Sequence, residues 1–334
     1  EDALVVIDMQ ADFVPKSALN AQGGRFGVAE GDHVVPLIER LIDSATAAGA
    51  TICATRDYHP HDHCSFNTCG GPFPPHCLQG SEGSYFHPRI GAKLSEAMRR
   101  VGPEKVMVAF KAFHEQIDSF GAFPYLDGGD GRLAKNGCNA HALGVFMGCA
   151  KAPFTGSLVL KQSALTGEAV NINAPPDVLS VLDDGVDRKM RTIHEVLKDK
   201  KRIFVCGLAM DFCVLDSCLN ARAAGLAEVH MVLDAARAAH IPGVGSFGSG
   251  FLSQPSEVAA KMKAAGVKVV DSASLAGVSP GQLKASLPQK QGFPAALAPL
   301  SLANSRVESK MLEGNRFQIQ RSGPLASVSL PVYE

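Results

Sequence analysis

The 334-residue sequence has little that would attract a charged or lipid partner. Its 32 lysines and arginines are balanced by 33 aspartates and glutamates, so no basic excess is available to neutralise phosphates. Its longest apolar runs, such as residues 3–7 and 203–206, have the length of strands and are far too short to cross a bilayer. We therefore expect no nucleic-acid partner and no membrane insertion.

The sequence also lacks the marks of secretion. Although Glu1 is not an initiator residue, no positively charged stretch followed by an apolar one lies near it, as a signal peptide would require. The nine cysteines are an odd number, scattered over a chain that is 46% hydrophobic, unlike a small domain held by disulfides. We predict a cytoplasmic (intracellular) protein with free thiols.

Apolar runs alternate with helix-like stretches along most of the chain. Six short runs rich in valine and isoleucine suit strands buried on both faces: residues 3–7, 51–55, 105–109, 202–206, 228–233 and 267–270. The stretches that favour helices are residues 34–48, 91–100, 177–198, 212–224 and 256–265. The alternation predicts an α/β fold, a three-layer α/β/α arrangement around a mostly parallel six-stranded sheet.

Two segments depart from this alternation. Residues 126–176 are rich in glycine, alanine and proline, and we interpret them as an insertion into a catalytic domain that spans residues 1–275. Residues 276–334 are rich in serine, proline, glutamine and alanine with weak periodicity, which indicates a C-terminal extension without catalytic content.

Reactive side chains follow four of the predicted strands. Asp8 follows the first strand, Asp57 and His59 the second, Lys111 the third and Cys213 the fourth. Ligands of open parallel sheets bind beyond the carboxyl ends of the strands, so these residues are expected at one rim. We predict an active site there, because the rim would carry an acid, residues of the types that bind metals, a lysine and a thiol.

Cys213 is the candidate nucleophile. At the start of a helix, unpaired backbone N–H groups and a partial positive charge favour a thiolate and can bind an oxyanion. Asp8, among apolar neighbours, is the candidate base, and Lys111 can hold the two groups by charge or polarise a carbonyl. The alternative is that Cys213 is a small buried apolar residue, as we expect of Cys206 and Cys218, and that Asp8 and Lys111 form a structural ion pair.

A metal site is predicted after the second strand. Asp57 precedes His59, His61 and His63, which are two residues apart, and a proline-rich loop then supplies His76. Aspartate with two or three imidazoles suits zinc, iron or manganese and leaves positions open for water or substrate.

The alternative is a closed structural zinc site built from a histidine and three cysteines, Cys64, Cys69 and Cys77. We disfavour it because Asp57 and His59 would be left over and because no paired Cys-x-x-Cys element occurs.

These residues lie in motifs that resemble the nicotinamidase/pyrazinamidase branch of the isochorismatase-like cysteine hydrolases. The matching segments run in family order from Ala3 to about Leu275, excluding the insertion. They are residues 6–13 (VIDMQADF), 31–36 (GDHVVP), 56–60 (RDYHP), 74–80 (PPHCLQG), Lys111 with residues 118–123 (DSFGAF), and 205–214 (VCGLAMDFCV).

The resemblance implies a nicotinamidase that hydrolyses nicotinamide to nicotinic acid and ammonia in NAD salvage. Cys213 would form a thioester, Asp8 would move its proton, and Lys111 would stabilise both charges. A cis peptide would join Leu208 to Ala209, and the N–H groups of Ala209 and Cys213 would form the oxyanion hole.

The resemblance also implies a cofactor and a substrate pocket. One divalent ion, zinc first with iron or manganese as alternatives, would be held by Asp57, His59 and His76, with His63 as a candidate fourth ligand. The residues implied around the nicotinamide ring are Phe13, Phe73, Phe120 and Leu208.

The chain departs from the family pattern at Met210, where threonine is usual, at Phe73, where tryptophan is common, and at Ala112, where glycine is frequent. The rival functions are a related amidase acting on a carbamoyl or ureido substrate and a catalytically silent scaffold that binds a metal or ligand. Homo-oligomerisation stays open.

Overall fold

In chain order the described strands are β1 (Asp2–Ile7), β2 (Thr51–Asp57), β3 (Val106–Lys111), β4 (Leu126–Asp127), β5 (Arg132–Leu133), β6 (Leu158–Val159), β7 (Arg191–Thr192), β8 (Arg202–Leu208), β9 (Glu228–Arg237), β10 (Lys268–Val270), β11 (Arg306–Leu312) and β12 (Arg316–Ser322). Six parallel strands form most of an eight-stranded sheet of order β10-β9-β8-β1-β2-β3-β6-β7. The predicted mostly parallel sheet is confirmed, and the short β6 and β7 extend it antiparallel at one edge.

The structure, a computed structural model, describes residues 2–71, 73–113, 115, 118–127, 132–133, 157–159, 170–175, 191–239, 255–273, 275, 306–312 and 316–322. The chain divides into two compact units, Glu1–Ser279 and Pro280–Glu334. Strands β11 and β12 pair antiparallel within the second unit. None of the helices within these ranges has both the length and the apolar character that a membrane crossing requires.

The helices are α1 (Val35–Ala47), α2 (Pro88–Val101), α3 (Ile193–Leu197), α4 (Leu215–Ala223) and α5 (Pro255–Ala264). Proline opens α1 and α2 within their first two positions, where a missing N–H costs nothing. The helix predicted over residues 177–198 is wrong at residues 191–192, which form β7. A capping box of Thr192 and Glu195 starts α3 only at Ile193, and residues 177–190 lie outside the described ranges.

Only parts of the predicted insertion at residues 126–176 are described, namely the paired strands β4 and β5, strand β6, and residues 157 and 170–175. Within them, Ile172 and Ala174 are buried against the core, and Arg56 donates a hydrogen bond to the backbone oxygen of Ala174 over 3.2 Å.

Strands β2 and β3 run further than predicted and carry charged residues into the buried sheet. The predicted strands end at Thr55 and Ala109, whereas β2 continues to Asp57 and β3 to Lys111. Asp57 and Lys111 are opposite each other in the parallel pairing, and both are buried. The last residues of two neighbouring strands therefore place a carboxylate and an ammonium side by side.

The ends of β1 and β8 approach so closely that only glycine fits at Gly207. Gly207 is paired with Ile7 and has φ +119, a conformation that L side chains rarely adopt. A Cβ at this position would lie 2.0 Å from the backbone oxygen of Ile7. This contact brings Asp8, the residue after β1, next to the segment that carries Cys213.

Candidate active site

The structure brings Asp8, Lys111 and Cys213 together at the carboxyl ends of the strands. The Lys111 Nζ atom lies 2.8 Å from Asp8 Oδ2 and 3.5 Å from Cys213 Sγ. A carboxylate oxygen of Asp8 lies within 4.8 Å of the Cys213 sulfur. All three side chains are buried, so their charges interact in a medium of low polarity.

Lys111 also reaches the predicted metal segment. Its Nζ atom lies 2.5 Å from Asp57 Oδ1, so one ammonium contacts two carboxylates and a thiol. Burial alone would lower the pKa of Lys111, but Asp57 and Asp8 outweigh it and hold that pKa well above its usual range. Lys111 is therefore positively charged at neutral pH. The contact with Asp57 was not predicted from the sequence.

Burial raises the pKa of the Cys213 thiol well above its usual range, while Lys111 acts in the opposite direction. Cys213 does not lie at the start of an α-helix as expected: it lies in a short buried π-helix, Met210–Val214, and α4 begins only at Leu215. The direction of the pKa favours the protonated thiol, so a base beside Cys213 would be needed to form the thiolate.

Asp8 has the geometry of that base. Its Oδ1 atom accepts a hydrogen bond of 2.7 Å from the Thr55 hydroxyl, and its backbone N–H donates to the same hydroxyl oxygen over 3.1 Å. Apart from its proximity to Lys111, Oδ2 has no hydrogen-bond partner among the described residues and is available to take a proton. The sequence predicted Thr55 only as the last residue of the second strand, so this role was missed.

The Leu208–Ala209 peptide is cis, as the family resemblance implies. The backbone oxygen of Ala209 accepts hydrogen bonds from the N–H groups of Phe212 and Val214, each over 3.1 Å, which folds the turn around Cys213. Cys206 and Cys218 are buried, and burial raises the pKa of both thiols, in keeping with the apolar role expected for them.

Asp57, His59 and His76 form a compact set of ligand atoms. One oxygen or nitrogen from each residue lies within 4.8 Å of the others, and all three side chains are buried. His59 Nδ1 lies 3.0 Å from the His76 backbone oxygen, and His76 Nδ1 lies 2.7 Å from the Pro74 backbone oxygen. Because these carbonyls can only accept, Nδ1 of each ring carries the proton and Nε2 keeps its lone pair.

Burial lowers the pKa of His59 well below its usual range and that of His76 to about 4. Both imidazoles are therefore neutral at physiological pH, which is the form that binds metal. A buried carboxylate with two neutral, oriented imidazoles is a donor set that fits a divalent transition ion.

The remaining histidines and cysteines of this segment differ in burial and in whether they belong to a set of possible metal ligands. His63 is buried, and its Nδ1 atom lies 2.7 Å from the Ser65 hydroxyl, whereas His61 is exposed, as expected. None of the ligand sets found among the described residues includes Cys64, Cys69 or Cys77. The alternative of a closed structural zinc site gains no support.

Two buried polar side chains hold the metal segments in place, and neither role was predicted. Gln10 donates to the backbone oxygens of Asp57 and Ser84 and accepts from the Asp57 N–H, with distances of 2.7–2.8 Å. Asp12 Oδ2 accepts a hydrogen bond of 2.8 Å from the N–H of Cys77, which fixes the loop carrying His76. Their motif was recognisable in the sequence, but their partners are far away along the chain.

The predicted aromatic residues surround the metal segment. Phe13 lies 5.2 Å and Phe73 6.1 Å from the His76 ring, measured between ring centroids, and Phe120 lies 6.3 Å from Phe73. All three rings are buried. Leu208 is buried as well. Its side chain lies close to Gly31, because a Cβ added at Gly31 would lie 3.1 Å from the Leu208 Cδ1 atom.

Two further aromatic rings belong to this cluster and were missed. Phe212 lies 5.5 Å from Phe120 and 5.9 Å from Phe73. Phe26 stacks on His76 with centroids 5.1 Å apart and planes at 24°, and it is only partly buried. The sequence offered no signal for Phe26, because it lies in the irregular segment between β1 and α1.

Asp118 belongs to a motif but received no role from the sequence. It is buried, and burial raises the pKa of its carboxyl group to about 7. One of its oxygens lies within 4.8 Å of ligand nitrogens of His59 and His63.

Comparisons with known proteins agree with the motifs. Residues 2–103 match the isochorismatase domain family. The nicotinamidase of Escherichia coli (strain K12) is 32% identical over 128 residues, covering 34% of this chain and 57% of that protein. The nicotinamidase of Acinetobacter baylyi is 33% identical over 141 residues, covering 37% of this chain and 56% of that protein. The chain thus spans a little over half the length of these curated relatives.

Among solved structures, the yeast nicotinamidase Pnc1p bound to the inhibitor nicotinaldehyde is similar with a TM-score of 0.50 and 17% identity, covering 81% of this chain and 100% of that one. At this identity the likeness concerns the fold alone. The sequence matches place the similarity to the isochorismatase domain family in the first 103 residues of the chain. Over about a third of its length the chain is also similar in sequence to nicotinamidases.

Proposed function

We propose that the protein is a nicotinamidase, an amidohydrolase that converts nicotinamide to nicotinic acid and ammonia. The observation that carries the proposal is the position of Lys111, whose ammonium contacts Asp8, Cys213 and Asp57 at once. A buried acid–thiol pair therefore lies next to a buried metal-ligand set. Sequence similarity to nicotinamidases supports the choice of substrate.

In the proposed reaction, Asp8 Oδ2 takes the Cys213 thiol proton while Lys111 stabilises the two resulting negative charges. The thiolate attacks the carboxamide carbon, and the N–H groups of Ala209 and Cys213 stabilise the oxyanion. Protonated Asp8 then returns its proton to the departing ammonia as the carbon–nitrogen bond breaks. A water, deprotonated by Asp8, hydrolyses the thioester and regenerates the thiol.

The aromatic cluster and the metal ligands would position the ring. A divalent ion held by Asp57, His59 and His76, with zinc as the first candidate and iron or manganese as alternatives, would supply an open coordination position for the pyridine nitrogen. Phe13, Phe73 and Phe120 would pack on the ring and exclude water. A role in NAD salvage and a cytoplasmic location belong to the same proposal.

The test is ammonia release from nicotinamide by the wild-type protein and by the Cys213→Ala variant. We expect steady release by the wild type and a loss of at least about a thousandfold in the variant, because the covalent route is removed. Equal rates in the two proteins would overturn the nucleophile assignment. Binding of nicotinamide by the wild type without any release would instead identify a silent scaffold.

A second measurement separates the substrate classes. Chelator treatment should abolish release from nicotinamide, and zinc, iron or manganese should restore it. Release from a carbamoyl or ureido compound that exceeds release from nicotinamide and survives the chelator would point to the related amidase instead.

A further inference from the structure

Ser217 carries a buried hydroxyl that the proposed reaction does not use. It lies in α4, four residues after Cys213, and its Oγ atom donates a hydrogen bond of 2.5 Å to the Cys213 backbone oxygen. A serine in a helix often donates to the carbonyl four residues before it, so this contact alone would be ordinary. The same hydroxyl oxygen, however, also accepts a hydrogen bond of 2.9 Å from the N–H of Ala122, which is 95 positions away in sequence.

The hydrogen bond to Cys213 holds the peptide group that follows the proposed nucleophile. The peptide between Cys213 and Val214 donates through its N–H to the Ala209 backbone oxygen over 3.1 Å, and its carbonyl accepts from Ser217. A planar peptide group that is bonded at both ends cannot rotate without losing one of these bonds. Because this peptide starts at the Cα atom of Cys213, its orientation also sets where the sulfur lies relative to Lys111, 3.5 Å away.

The hydrogen bond from Ala122 is one of several that hold residues 118–123 against α4. The Gly121 N–H donates to the Tyr125 hydroxyl over 2.9 Å, and that hydroxyl donates to Asp216 Oδ2 over 2.6 Å. The approach is close, since a Cβ added at Gly121 would lie 2.5 Å from Asn220 Nδ2. The position of residues 118–123 is therefore set by side chains of α4.

Residues 118–123 carry one of the rings implied around the substrate. The Phe120 ring lies 5.5 Å from the ring of Phe212, the residue directly before the proposed nucleophile, and 6.3 Å from the ring of Phe73. One hydroxyl thus binds the backbone of two different segments, the π-helix that carries Cys213 and the segment that carries Phe120.

We propose that Ser217 is a positioning residue, which holds the Cys213 thiol and the Phe120 ring at a fixed separation. A substrate ring packed on Phe120 would then place its amide carbon against the sulfur. The inference rests on the proposed function, because it assigns how the bound ring and the nucleophile are aligned. A displacement of about 1 Å between reacting groups can lower a rate about a hundredfold, so a hydroxyl that acts only through the backbone can still control the chemical step.

The variant Ser217→Ala removes both hydrogen bonds. Its matched control is Ser157→Ala, because the buried Ser157 hydroxyl donates to the Ala122 backbone oxygen over 2.8 Å. Ser157 therefore anchors the same residue of the same segment, but it lies outside the π-helix of Cys213. Urea denaturation measures how much stability each variant loses, and ammonia release from nicotinamide gives kcat and KM.

We expect KM to rise a few-fold, by about 2- to 5-fold, in both variants, because each loosens the segment that carries Phe120. Only Ser217→Ala should lower kcat, by at least about tenfold. Ser217→Thr keeps the hydroxyl and should recover most of the lost kcat. Should Ser217→Ala fail to fold, Ser217→Cys takes its place, because a thiol of similar size is a weak donor and acceptor. Its kcat should then lie well below that of Ser217→Thr.

A second readout needs no substrate. The rate at which iodoacetamide alkylates Cys213, followed by mass spectrometry of the digested protein, reports on the position of the thiol. We expect alkylation to be at least about threefold slower in Ser217→Ala than in Ser157→Ala, because the sulfur moves away from the ammonium of Lys111 that stabilises a thiolate.

The two readouts keep failure of Ser217 and failure of the nicotinamidase proposal apart. If the wild type releases ammonia, equal kcat values for Ser217→Ala and Ser157→Ala would overturn the role of Ser217 and leave the proposed function standing. If the wild type releases none, the proposed function fails and the alkylation rates decide alone. Equal alkylation rates in the two variants would then overturn the role of Ser217 as well.

Discussion

The hydroxyl of Thr55 should matter for both stability and catalysis, and Thr55→Val tests this with almost no change in shape. In the structure this buried hydroxyl donates to Asp8 Oδ1 over 2.7 Å and accepts from the Asp8 N–H over 3.1 Å. Valine removes both hydrogen bonds and leaves the Asp8 N–H and one carboxylate oxygen without that partner.

The size of the effect follows from those two contacts. Losing a hydrogen bond to a charged group costs about 1.5–3 kcal/mol, and leaving a buried N–H unsatisfied costs about 1–3 kcal/mol. The added methyl group returns about 0.8 kcal/mol. We therefore expect the free energy of unfolding to fall by about 3 kcal/mol. We also expect kcat for ammonia release to fall at least about tenfold, because Asp8 is no longer held in one orientation.

Urea denaturation and ammonia release measure the two effects. Thr46→Val is the matched control, because its buried hydroxyl donates only to the Ile42 backbone oxygen within α1, over 2.7 Å. The control should lose about 1 kcal/mol and keep its kcat. A Thr55→Val protein with the stability and kcat of the control would refute the view that Thr55 orients Asp8.

Three further predictions concern the backbone, the metal ligands and the pocket. Gly207→Ala should destabilise the fold by more than about 3 kcal/mol in urea denaturation, because its Cβ would lie 2.0 Å from the Ile7 backbone oxygen; a loss below about 1 kcal/mol would mean that the strands separate easily. In chelator-treated protein, the pKa of His76 is about 4 when folded and about 6.5 when unfolded, so the unfolded chain takes up the proton first and stability should fall by roughly 3 kcal/mol as the pH drops through that window. His76→Gln should lack this contribution to the dependence of unfolding free energy on pH. The same pH dependence in both proteins would contradict the effect of burial on His76. Phe26→Ala should raise KM for nicotinamide roughly 2- to 10-fold with a smaller change in kcat, because one partly buried ring is lost from the cluster; an unchanged KM would place that ring outside the substrate's path.

The sheet was predictable because its strands are buried on both faces and therefore read as continuous apolar runs. The ends of those strands were less predictable. Arg56 and Asp57 look like loop residues in the sequence, yet they finish β2 inside the protein. Arg56 is tolerated there because its guanidinium donates to Ser84 and lies 4.9 Å from the centre of the Phe110 ring.

The candidate site was predictable in composition and much less so in its contacts. Strand order places Asp8, Lys111 and Cys213 at one edge, and that much follows from alternation of strands and helices. Thr55 and Phe26 could not be found in this way, because a hydroxyl that supports a carboxylate and a ring that stacks on an imidazole carry no local pattern. Such contacts depend on how distant segments meet.

The central position of β1 has a consequence for how the chain is synthesised. β1 pairs with β2 on one side and with β8 on the other, and the partner residues of β1 and β8 are 200 positions apart in sequence. During translation, one edge of β1 therefore stays unpaired until β8 leaves the ribosome, which exposes an apolar strand edge to other chains. The proposed metal ligands Asp57, His59 and His76 are synthesised long before the proposed nucleophile, Cys213. A chain interrupted between the two would carry the proposed base and metal ligands, an open sheet edge and no thiol at Cys213.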